Sequence, residues 1–172
     1  MMNMLFDFYP WEIDIDIEAT KELYIKRNYA KDSEVNKNIF NTMSKKQKDF
    51  FMSIGVDILK VKAEEKVYDI PDDEELSGGK IYSMSLDFLI CGKLLSILDY
   101  QEEIYIDEEV FGMNLPSYLK VIKMAEEQEF PIYDIDGWGC VFKHPLFRFE
   151  EEEFKKWDCG YIAGTILLMK DL

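Results

Sequence analysis

One histidine, three cysteines and five prolines among 172 residues leave little material for several common chemistries. With His144 as the only imidazole, histidine-based acid–base catalysis would rest on one residue next to Pro145. Cys91, Cys140 and Cys159 are odd in number and lack CxxC spacing, which excludes a zinc quartet on spacing and points to a reducing compartment. Gly78-Gly79 is not part of a GxGxxG or GxxxxGK[ST] phosphate loop. The longest uncharged apolar stretch near the end, Cys159 to Met169, is far below the ~20 residues of a membrane helix. Residues 1–20 have no basic region and no clean apolar run, so no signal peptide is expected and the expected location is cytoplasmic. Positive charge is also scarce: 20 Lys and Arg stand against 35 Asp and Glu, a net charge of −15. Such a chain repels phosphate backbones and anionic lipid, which argues against direct nucleic-acid or membrane binding.

What the chain has is apolar material, 48% of residues with 15% aromatic, too much for a disordered polyanion. Its length suits one domain that buries roughly 70% of its unfolded surface. The charge is unevenly spread. Residues 1–62 hold ten basic and ten acidic residues, so the whole net charge falls in residues 63–172. There the acids cluster: Asp72, Asp73, Glu74 and Glu75; Glu102 and Glu103; Asp107, Glu108 and Glu109; Glu126, Glu127 and Glu129; Asp134 and Asp136; Glu150 to Glu153. A concentrated acidic surface destabilises itself until a counter-charge arrives, which makes it a candidate docking face for a basic partner; a merely solvated surface is the plainer alternative.

The hydrophobic pattern predicts a single α+β domain, with an N-terminal helical layer packed on a small, mostly antiparallel sheet. Trp11, Ile13, Ile15 and Ile17 alternate with acids, the period of a half-buried strand or of an extended lead-in to a helix capped by Asp16. Helices are expected over Glu18–Ala30, over Ser33–Met43 and from the N-cap Ser44, the last placing Phe50, Phe51, Ile54 and Ile58 on one stripe. Beyond Lys62, strands are expected at Val67–Ile70, Lys80–Met84 and Ile104–Val110. Leu86–Leu98 is apolar almost all round, which suits a buried helix or a long central strand, and its length and leucine content favour the helix. Asn114 and Pro116 open a further helix through Ala125, and paired charges predict another ending by Trp157. Phe130–Ile135 and Trp138–Lys143 flank Asp136-Gly137 as a hairpin. Gly160–Met169 suits either helix or strand.

Two constellations are candidate sites. Asp134-Ile-Asp136 and Asp14-Ile-Asp16 are DxD pairs that, with His144, would serve a small metal-dependent hydrolase or transferase if the fold united them. For Asp134 and Asp136 a plain hairpin turn explains the same residues without a metal. Tyr105, Tyr133 and Trp138 lie beside acids on expected strands or turns and are candidate exposed anchors within a polar rim. The favoured expectation is a non-enzymatic acidic protein without cofactor that binds a basic protein. Its partner-binding surface would comprise Asp72–Glu75, Glu102, Glu103, Tyr105, Asp107–Glu109, Tyr133, Asp134, Asp136 and Trp138. In general character, not by any motif, such a chain is similar to the immunity proteins and antitoxins of bacterial competition systems, many of which plug the cationic site of a nuclease toxin. An accessory subunit of a larger assembly is the further alternative.

Overall fold

The alternation in Trp11–Ile17 produces both of its expected outcomes, one after the other. Strand β2 (Trp11–Asp16) buries Trp11, Ile13 and Ile15 completely and leaves Glu12 and Asp14 half-buried on the other face. Helix α1 (Ile17–Lys26) then starts at once, and the buried Asp16 carboxylate caps it by accepting from the Ala19 amide at 3.0 Å. The structure is a computed structural model and describes residues 3–26, 33–71, 78–97, 131–143 and 160–172, with the backbone alone at 3, 101–105 and 119–123.

Strand β1 (Asn3–Phe8) folds back on β2 through Tyr9 and Pro10, joined by a cis peptide. Helix α2 (Glu34–Thr42) is capped by Ser33. Helix α3 (Lys45–Ser53) carries a full capping box. The Ser44 hydroxyl accepts from the Gln47 amide and the Gln47 side chain accepts from the Ser44 amide. Asn36 is buried and donates to the Ile58 and Val61 carbonyls, tying α2 to the 3-10 turn Ile58–Lys60.

The remaining elements are strands: β3 (Lys62–Ile70), β4 (Gly79–Ile97), β5 (Gln101–Tyr105), β6 (Leu119–Lys123), β7 (Tyr133–Ile135), β8 (Trp138–Lys143) and β9 (Tyr161–Asp171). Among the described residues, seven of the nine strands form one antiparallel sheet in the order β1-β2-β4-β9-β8-β7, with β3 also on β4, while β5 and β6 pair separately. The long β4 is its spine. One edge pairs throughout Ile81–Cys91 with β9, whereas the other is shared end to end: β3 takes Gly79–Asp87 and β2 takes Gly92–Ile97. Between those two partners α1 fills in. The Thr20 hydroxyl accepts from the Cys91 amide at 3.0 Å, and the Tyr24 hydroxyl bonds Leu89.

One face of the sheet and the inner sides of the helices enclose a continuous core in which aromatic rings meet edge to face. Phe88 and Phe142 approach at 6.4 Å and 90° across Gly164, which stands between them in the strand register. A Cβ on Gly164 would lie 2.1 Å from the Phe88 ring, so the glycine makes room for that side chain.

Several expectations are corrected. Leu86–Leu98 is not a helix; through Ile97 it is the second half of β4, apolar on both faces because Leu89 and Cys91 are buried opposite Phe88 and Ile90. Leu119–Lys123, expected inside a helix, pairs as a strand with β5. The N-terminal third is not only a helical layer, since β1 and β2 open it and belong to the sheet, which is the larger part of the fold. Gly160–Met169 resolves into β9. Within the Ile104–Val110 expectation, the described strand ends at Tyr105. The helix expected to end at Trp157 lies outside the described residues. Cys91 is disulfide-bonded, contrary to the reduced state read from the cysteine count. No helix among the described residues is long and apolar enough to cross a membrane.

Candidate functional site

Four of the expected site residues share one hairpin. Asp136 and Gly137 both take positive φ, 54° and 87°, the two-residue turn that an Asp-Gly pair favours. The Asp134 carboxylate folds over that turn and accepts from the Gly137 amide at 3.1 Å. Buried Gln47 reaches from α3 to donate to the Asp136 carbonyl at 3.1 Å, and more distantly to that of Ile135. A single glutamine therefore caps its own helix and fixes the hairpin tip against it. The Lys46 ammonium stands 3.7 Å from the Asp136 carboxylate, a mostly exposed pair of small energetic weight.

A hollow opens on each side of Asp136. The first, about 450 Å³, is rimmed by Asp49, Asp134, Asp136 and Lys46 and floored by Phe50 and Tyr133. The second, about 460 Å³, lies between the helices and β3, β4 and β9, where Glu65, Tyr82, Trp138 and Lys170 line it. Burial, reinforced by the hydrogen bond that Tyr82 donates to Glu65, pushes the Tyr82 phenol up to about 12. The Lys170 ammonium lies 5.0 Å from the centre of the same ring. The second hollow thus already holds a carboxylate and a cation, each on the same tyrosine.

The expected residues fare differently here. Asp134 and Asp136 are exposed at the tip, and Tyr133 is half-buried. Trp138 is not an exposed anchor: at 7% exposure it lies on the core face of β8 with Cys140 and Phe142, because alternate strand residues share a face. Cys140 is itself buried, and burial pushes its thiol well above the ordinary range, which makes it a poor nucleophile. Asp14 lies on β2, half-buried, opposite Leu5 and Lys93 in register, and Asp16 is committed to capping α1. Among the described residues no three His, Cys, Asp or Glu side chains converge as metal ligands. Glu102, Glu103 and Tyr105 are placed by backbone on β5. Asp72–Glu75, Asp107–Glu109, Glu150–Glu153 and His144 lie outside the described residues.

Lys46, Gln47, Asp49, Glu65, Tyr82 and Lys170 complete the two hollows and were not singled out by pattern. The Ser44-x-x-Gln47 spacing was the one legible signal, as a capping box, but a cap does not announce what else its glutamine touches. Compared with known proteins, the chain matches no family model, no curated protein and no solved structure.

Proposed function

We propose that this chain is an acidic cytoplasmic binding protein that neutralises a basic protein partner, in the manner of an immunity protein or antitoxin covering the cationic site of a toxin, with a nuclease as the leading case. The observation that carries this reading is the charge asymmetry: the entire net charge of −15 belongs to residues 63–172. The hairpin tip supports it. There Asp49, Asp134 and Asp136 line a hollow with Phe50 and Tyr133, and a partner's lysine or arginine would take the place of Lys46, which now pairs with Asp136. Long-range attraction steers the partner in, and the sequence supplies further acids at Asp72–Glu75, Glu102, Glu103 and Asp107–Glu109, with Tyr105 beside them, as proposed contacts.

The test is affinity capture from host lysate at low salt, with salt-step elution and mass spectrometry. The reading expects one basic protein, harmful when expressed alone and harmless when co-expressed, with affinity falling steeply as salt rises. A salt-independent complex overturns the electrostatic mechanism. A stable complex with a harmless partner supports an accessory subunit instead, and metal-dependent activity lost in Asp134→Ala supports the hydrolase or transferase reading. The disulfide at Cys91 sets the test of compartment: because Cys91 is buried, thiol labelling after acid quenching and denaturation of protein from intact cells finds it reactive if the site is reducing and blocked if it is not.

A further inference from the structure

The second hollow changes character from its floor to its mouth. In the strand register Glu65, Met84 and Leu168 form one row across β3, β4 and β9, and Tyr82 and Lys170 belong to the next row on the same face, towards the start of β4 and the end of β9. Met84 is 2% exposed and Trp138 is buried, so the floor is apolar and closed, whereas Glu65 and Lys170 are exposed at the mouth. Tyr82 holds these two charges on different parts of one ring: its hydroxyl donates to Glu65, and its centre lies 5.0 Å from the Lys170 ammonium. Among the described residues no ion pair joins Lys170 to Glu65 or to Asp136, the other carboxylate lining the hollow, which pairs with Lys46 instead.

We propose that this hollow binds a free α-amino acid with an apolar side chain. Its carboxylate meets the Lys170 ammonium, and its ammonium meets the Glu65 carboxylate, which has lone pairs to spare beyond the bond from Tyr82. Its side chain enters over Met84 and Leu168. The pair of opposite charges decides the class of ligand. A pure anion is drawn to Lys170 but repelled by Glu65 and Asp136, and a pure cation is repelled by Lys170, whereas a zwitterion satisfies both charges and brings no net charge of its own. A sugar needs an open aromatic face on which to stack, yet Trp138 is 7% exposed and Lys170 lies on the Tyr82 ring. At about 460 Å³ the space falls within the range of small-molecule sites. Such a site does not depend on a basic protein partner.

Isothermal titration calorimetry of the full chain with L-leucine and with L-phenylalanine tests this, beside the amide of each, which lacks the carboxylate, and the N-acetyl form of each, which lacks the ammonium. At least one of the free amino acids is expected to bind saturably. Its blocked forms should bind at least about tenfold more weakly, each having lost a charge-assisted hydrogen bond. Lys170→Met should erase the preference for the acid over its amide, and Glu65→Gln the preference for the free amine over its N-acetyl form. Both side chains are exposed, so the far-UV circular dichroism of each variant should match the wild type. Saturation by neither amino acid at millimolar concentration overturns the proposal, as do blocked forms that bind equally well or variants that keep the wild-type preferences.

Discussion

The Tyr24 hydroxyl replaces a missing strand at Leu89: it donates to the Leu89 carbonyl and accepts from the Leu89 amide, each at 2.9 Å. This happens where β4 has lost β3 and not yet gained β2, so both backbone groups would otherwise be buried without partners.

Tyr24→Phe keeps the ring and removes that double bond. The expected cost is about 1–3 kcal/mol of unfolding free energy, since buried backbone groups left unsatisfied are expensive. Chemical denaturation measures it. A variant as stable as wild type would show that water or a shifted backbone satisfies Leu89 equally well.

Gly164→Ala should destabilise by about 1–3 kcal/mol, the usual cost of forcing extra volume into a packed core. The loss should shrink in the double variant Gly164→Ala/Phe88→Leu, because the clash is with the Phe88 ring. A thermodynamic cycle on the two sites reads that coupling, and simple additivity would mean the strain falls elsewhere.

Tyr82 gives the pH dependence. Its folded value of about 12 exceeds the ordinary 10.0, so the stability it contributes is intact below pH 10.0 and is lost as pH climbs through about 12, where the phenolate would face Glu65. Tyrosinate absorbance followed through alkaline titration should show a late-ionising group that Tyr82→Phe removes. Should the wild-type and variant curves coincide in that window, Tyr82 is not held back.

Asp136 separates turn chemistry from partner binding. Asn tolerates positive φ almost as Asp does, so Asp136→Asn should fold normally while deleting one rim charge. Asp136→Val should cost about 1–2 kcal/mol, the penalty of a left-handed conformation for a residue with a bulky Cβ. If the partner, once captured, binds Asp136→Asn with unchanged on-rate, the tip charge does not steer it.

Local chemistry was legible wherever one signal governed the outcome. Ser33 and Ser44 announced two helix starts, Asp136-Gly137 announced a hairpin, and Trp11–Ile17 showed its alternation because only one face is buried. Leu86–Leu98 defeated the same reading. A strand buried on both faces and paired on both edges has no polar period, and only Gly92, a poor residue for a helix interior, hinted otherwise. The misplacing of Trp138 was of another kind. Its acidic neighbours suggested exposure, whereas its spacing of two from Cys140 and of four from Phe142 already put it on the core face. Lys170 and Glu65 meet at Tyr82 only because β3 and β9 flank β4, a relation that no local pattern encodes.

The shared edge of β4 also orders events during synthesis. Ile13 has Phe6 on one side from the start but finds its partner on the other only when Leu94 has been made, and Phe88 finds Gly164 still later, so the first hairpin and helices α1, α2 and α3 leave the ribosome before the spine they pack against exists. Until then Trp11, Ile13 and Ile15 have no sheet to enter, and the nascent chain carries its stickiest surface first. The change of net charge at residue 62 is therefore not a seam at which the protein could be cut: a fragment ending there would lack the strand that buries its core.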